Sequence, residues 1–218
     1  MGCDIHSVAQ VRKNNNWTTV AAEIAGDNRN YNTFACLANV RNGYGFAGSD
    51  TGDGFIPIAQ PRGLPRDFTI EREYHPLPNG VEHPYDADER SLWMGDHSHS
   101  WLLLSELEEY FERHAKSKSM RRAFVSEEEF KQIYGTNRTP EVAYGLIGGK
   151  DVLCLSARDY HAREEPIPEG AKVYVQYAWQ VTYEEVTKLK EIIDELRKIA
   201  SQNAVTKEDV RYVFGFDS

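Results

Sequence analysis

The sequence predicts an α+β fold: a mixed sheet of four or more strands, helices packed mainly on one face, and a long loop-rich insertion. Lys172 to Thr182 alternates, with Val173, Val175, Tyr177, Trp179 and Val181 on one face, as a half-buried strand requires. Immediately afterwards Val186, Leu189, Ile193 and Leu196 recur at helical spacing. Residues 43–95 instead collect much of the glycine and proline and carry no long periodic run. With 218 residues, 40% of them hydrophobic, the chain can bury a sizeable core. Residues 1–218 are therefore expected to form a single α+β domain with its loop-rich insertion at about 43–95.

In chain order, Ile5, Val8 and Val11 suggest a strand over 3–12, Asn14-Asn15-Asn16 a turn, and Trp17 to Ala22 the returning strand of a hairpin. Tyr31, Phe34, Leu37 and Val40 predict a short core-packed helix over 31–40 that ends near Asn42-Gly43. A short helix is expected at 67–74, and a buried strand at 101–104. Ser105-x-x-Glu108 and Ser126-x-x-Glu129 read as capping boxes for helices to about 114 and 134. Thr182-x-x-Glu185 then opens one helix to about 200, and Asp209 to Phe216 returns beside the 172–182 strand as a right-handed β-α-β unit.

The net charge of −9, without a block of like charges, argues against a polymeric nucleic-acid partner, although a small anion can still bind locally. Positive charge is unevenly typed. Residues 1–104 hold Arg12, Arg29, Arg41, Arg62, Arg66, Arg72 and Arg90 but only one lysine, Lys13, and arginine is suited to bidentate contact with phosphate or carboxylate. His6, His75, His83, His97 and His99 lie in the same stretch, which is where a site is expected. Cys3, Cys36 and Cys154 are too few and too scattered for a disulfide framework and read as small core residues in a reducing compartment. No apolar run is long enough to span a membrane and the start lacks a signal-peptide pattern, so a cytoplasmic location is expected. His6 stands where a myristoylation pattern needs Ser or Thr.

Several motifs fail on context. Gly43-Tyr44-Gly45-Phe46-Ala47-Gly48 follows a helix and enters a loop, whereas a dinucleotide fingerprint leaves a strand and opens a helix. Asp50-Thr51-Gly52 lacks the apolar strand of an aspartic protease, and Asp53-Gly54 lacks the Glu that closes a calcium loop. A glycine-rich lid accounts for all three.

Two clusters carry chemistry: Asp4-Ile5-His6 and Asp96-His97-Ser98-His99. Alternate residues of a strand share a face, so Asp4 with His6, and His97 with His99, are each expected side by side. Together the four suit a divalent transition metal (Zn, Mn or Fe) that activates water, with Asp96 as an adjunct and Asp159-Tyr160-His161 as a second cluster of the same spacing. Without a metal, one histidine serves as general base and another as general acid. Asp4 and His6 equally suit hydrogen-bonded partners at a sheet edge, and the serine-flanked histidines suit a polar turn. Asp4-x-His6 also opens several metal-dependent phosphoesterases, but the G-D-x-x-D-R and G-N-H-E motifs of the calcineurin-like group are missing.

Arg29-Asn30-Tyr31, Val40-Arg41-Asn42, Pro61-Arg62-Gly63-Leu64-Pro65, His97-Ser98-His99-Ser100-Trp101 and Val213-Phe214-Gly215-Phe216-Asp217, with the opening Met-Gly-Cys-Asp-Ile-His, resemble a group of phage and bacterial proteins. The resemblance covers short stretches, adds little between 105 and 170, and implies a phage-encoded accessory protein without implying a reaction. The expected function is a hydrolase acting on a small phosphorylated or nucleotide-like ligand, with Asp4, His6, His97 and His99 catalytic. Arg29, Asn30, Arg41, Asn42, Arg62 and Trp101 would hold the ligand. The alternative is a non-catalytic protein that sequesters a nucleotide signal or blocks a host protein.

Overall fold

The computed structural model describes residues 2–24, 29–43, 52–69 and 94–217. Along the chain these form β1 (Ile5–Lys13), β2 (Asn16–Ala22), α1 (Tyr31–Ala38), β3 (His97–Leu103), α2 (Leu104–His114), β4 (Lys118–Ser126) and α3 (Glu127–Ile133). They continue with β5 (Val152–Leu155), α4 (Ala157–Ala162), β6 (Lys172–Thr182), α5 (Tyr183–Val186), α6 (Leu189–Asn203) and β7 (Val210–Phe216). The fold is α+β, but the strands make two sheets where one was expected. The first is antiparallel with order β2-β1-β7-β3; the second has order β4-β6-β5.

Burial explains why β7 does not return beside β6. All seven residues of β7 are buried, so the strand needs cover on both faces and a neighbour on each side, which it obtains between β1 and β3. In β6 burial alternates, with the five expected residues inward, so it needs cover on one face only. The parallel crossover connects β5 to β6 through α4. Neither β4 nor β5 is anticipated by the sequence: Arg121 and Arg122 interrupt the β4 pattern, and β5 is only four residues long.

The helix expected to run unbroken from 183 stops at Val186 and restarts at Leu189. Polar residues at the start of α1 intercept its backbone groups. Asn30 and Asn32 both donate through Nδ2 to the Val186 carbonyl, and Thr33 Oγ1 accepts from the Lys188 amide at 2.8 Å. Once these bonds replace helical ones, Thr187 adopts an extended conformation.

Phe34, Leu37, Tyr212, Phe214 and Phe216 fill the main core between the first sheet and α1, α2 and α6. The opposite face buries Val8 and Val213 under Phe68 and Met94. Arg211 reinforces that cover: 4% exposed, it donates to Gln10 Oε1 and Asp67 Oδ1 and lies over Trp17. The expected lid residues 44–51 and helix residues 70–74 fall outside the described residues. Gly52 to Gly54 are docked, with the Asp53 amide donating to the Met120 carbonyl and Ser119 Oγ to the Gly54 carbonyl.

Smaller expectations also change. Glu106, rather than Ser105, closes the start of α2, its carboxylate accepting from the Leu103 amide at 2.8 Å. Cys3 and Cys36 are buried as expected, but Cys154 is exposed. Asp159 and His161 lie on α4, where alternate residues diverge, so the second cluster dissolves.

Candidate functional site

The starts of β1 and β3 flank the end of β7 at one edge of the first sheet, with His6 opposite Gly215 and His97 opposite Phe216. The two clusters therefore do lie at the same end of the sheet. Neighbouring strands are about 4.8 Å apart, so β7 holds them roughly two strand spacings from each other.

A bulge turns His97 and His99 away from one another, contrary to the expected shared face. The β3 register slips between His97 and Ser100, and Ser98 takes a left-handed φ of 53°. Such a backbone costs a serine roughly 1–3 kcal/mol. The His97 ring stacks on Phe216, at a centroid distance of 6.0 Å, on the face that packs against the helices. On the other face, His99 Cδ2 comes within 2.6 Å of the point where a Cβ on Gly215 would stand. Its Nε2 donates to the Gly95 carbonyl at 3.0 Å.

Asp4 and His6 are also engaged. Arg29 grips Asp4 bidentately, Nε to Oδ1 at 2.7 Å and Nη2 to Oδ2 at 2.5 Å, while His6 Nε2 meets Asp217 Oδ2 at 3.0 Å. Backbone bonds add to this brace: the Asp4 amide donates to Asp217 Oδ1, and the Asp217 amide to the Asp4 carbonyl. A carboxylate or carbonyl can only accept, so Nε2 of both His6 and His99 carries a proton and has no lone pair for a metal. Among the described residues no three His, Cys, Asp or Glu side chains are grouped to hold a metal ion, so the expected four-residue centre is not assembled.

The hydrogen bond from His6 holds the Asp217 carboxyl below the usual carboxylate range, and that from Arg29 does the same for Asp4. A folded-state pKa below the unfolded value stabilises the fold above the unfolded pKa, and this contribution disappears as pH falls through the folded one. Asp217→Asn is therefore expected to melt lower than the parent at neutral pH, the gap closing below about pH 4. Thermal melts across that range measure it, and a gap independent of pH would contradict the brace.

Beside the brace lies a shallow depression, a cleft wide open to solvent and of about 510 Å³, lined by Asn39, Arg41, Gln60, His97 and Ser98 among others. Its volume suits a small ligand. α1 ends at Asn39 in a left-handed cap, and Arg41, also left-handed at φ 51°, follows on the turn. Arg41 Nη2 donates to the Gly2 carbonyl at 3.1 Å, and its guanidinium lies over Tyr31. Gly2 in turn abuts Arg29: a Cβ there would stand 2.5 Å from Nη1. The Asp217–Asp4–Arg29 brace thus fixes the residue whose carbonyl orients Arg41. His97 Nδ1 is 2.9 Å from Ser98 Oγ, and Nε2 is 3.9 Å from Asp96 Oδ1. A larger cleft, about 660 Å³ between α2 and α6, is lined by charges paired with one another, Arg197 and Lys207 with Glu108.

The other expected ligand-holding residues make structural contacts. Asn30 caps α1 by accepting from the Thr33 amide, and Asn42 clamps the amide and carbonyl of Phe55. Arg62 lies over Trp101 and forks onto Glu106, holding the α2 cap. Burial works against ionisation of Glu106, but Arg62 and the Leu103 amide outweigh it and leave the carboxyl pKa lowered. Asp217 and Ser98 are the site residues that sequence reasoning missed. Had the β1–β7 register been known, it would have set Asp217 opposite Asp4 and on the same face as His6, whereas the bulge at Ser98 leaves no mark in the sequence.

No protein-family profile, curated protein or solved structure matches the chain.

Proposed function

We propose that the chain hydrolyses a small phosphorylated or nucleotide-like ligand bound in the cleft beside Arg41. The observation that carries this reading is the convergence of Arg41, His97 and Ser98 on one cleft. A fixed guanidinium complements phosphoryl oxygens and the charge that builds on them during transfer. His97, hydrogen-bonded to a hydroxyl through one nitrogen and near the Asp96 carboxylate through the other, has partners suited to proton transfer. This is the acid–base form of the chemistry, and it draws on neither His6 nor His99. Those histidines, with Asp4 and Arg29, act as positioning groups. The motif likeness to phage and bacterial proteins supports an accessory role in a bacterial cytoplasm.

Hydrolysis of p-nitrophenyl phosphate and of a nucleoside monophosphate tests the reading. Turnover is expected to survive exhaustive chelation, and Arg41→Lys to raise KM, because a point charge does not reproduce the guanidinium fork. Stoichiometric binding of an unaltered nucleotide without turnover would favour the sequestering protein instead. Turnover abolished by chelation and restored by one metal would overturn the acid–base form.

A further inference from the structure

We propose that Ser98 is a covalent nucleophile, its Oγ attacking the phosphorus of an ester held beside Arg41; the phosphate chemistry rests on the function proposed above. Three features set this serine apart from Ser7, Ser100 and Ser119, which are buried. Its backbone is left-handed within a bulge, a conformation that glycine would adopt without strain, so the side chain is delivered at a local conformational cost. Its hydroxyl meets His97 Nδ1 at 2.9 Å, within reach for proton transfer. It also lines the cleft that contains Arg41. Ser100, two residues on, instead uses its Oγ to accept from the Arg62 amide.

The geometry supports a two-step reaction. In the first step the Oγ–P bond forms as the ester P–O bond breaks, the hydroxyl proton passes to His97 Nδ1, and the resulting imidazolium protonates the leaving alkoxide. Water then attacks the phosphoserine phosphorus and gives a proton to His97, and Oγ departs with that proton as the Ser98 hydroxyl is restored. The sum is ester plus water to alcohol plus phosphate, with no other reactant. Phe216, stacked on the imidazole, keeps it at the hydroxyl.

A fluorophosphonate probe followed by peptide mass spectrometry tests this with the intact chain. One phosphonyl adduct is expected, on the peptide containing Ser98. Ser98→Gly should remove it while raising the melting temperature, because glycine relieves the left-handed strain. A loss of labelling therefore cannot be ascribed to misfolding. His97→Gln is expected to slow labelling by about 100-fold or more. An adduct on another residue, no adduct at all, or labelling unchanged in Ser98→Gly would overturn the assignment. Labelling at Ser98 without turnover of p-nitrophenyl phosphate would uphold the nucleophile and discard the phosphate reading. Turnover at the parent rate in Ser98→Gly would discard the nucleophile and leave the hydrolase.

Discussion

Gly215→Val is expected to destabilise the protein by about 3 kcal/mol or more, although valine is a far better strand residue than glycine. Gly215 is the penultimate residue of β7, an interior strand of the first sheet, and lies opposite His6. A Cβ there would collide with the Met94 carbonyl oxygen and stand 2.6 Å from His99 Cδ2. The colliding atom is backbone, and the Asp96 amide donates to the Phe216 carbonyl just beyond it, so the 94–96 segment has little room to withdraw. Gly148→Ala is the control, since nothing lies within 4 Å of its added Cβ. Denaturant melts of the two variants measure the difference. A stable Gly215→Val protein would mean that the 94–96 segment packs elsewhere, and the placement of His97 and Ser98 would fall with it.

His97→Ala is expected to lower kcat by about 100- to 10,000-fold, the range for loss of a positioned general acid–base group. The ring also packs on Phe216, so some stability will go with it. His97→Gln separates the two effects: it retains bulk and a hydrogen-bonding partner for Ser98 but cannot relay a proton. An equal loss in both variants, with ligand affinity preserved, identifies proton transfer. His6→Ala, which removes the hydrogen bond to Asp217, provides the contrast. Among the described residues His6 reaches the cleft through Asp217 and the brace, so its loss should fall mainly on KM by loosening Gly2 and hence Arg41. Should His6→Ala cost kcat as much as His97→Ala does, the active imidazole would be His6 and the cleft would be misassigned.

The local elements were legible where local chemistry decides them. The hairpin follows from three consecutive asparagines, and Asn14 and Asn15 both adopt the left-handed φ its turn needs. Ser126 caps α3, and β6 spans the alternating run from Lys172 to Thr182. The long helix failed because the groups that break it, Asn30, Asn32 and Thr33, lie some 150 residues earlier in the chain. Of the expected site, Arg41 and His97 share a cleft; Arg29, Asp4 and His6 support it from the brace; and Arg62, Asn30, Asn42 and Trp101 hold loops and caps.

By itself the sequence determined the α+β class, the hairpin, the inward face of β6 and the stretches in which chemistry-bearing side chains concentrate. Each of these rests on spacing within a few residues, where backbone periodicity dictates direction. Only the tertiary structure decided that β7 leaves β6 to run between β1 and β3, that His6 is taken up by Asp217, and that a bulge at Ser98 sends His97 and His99 to opposite faces. Strand partners and hydrogen-bond partners are chosen by burial across the whole chain, and a one-residue slip reverses every side chain beyond it.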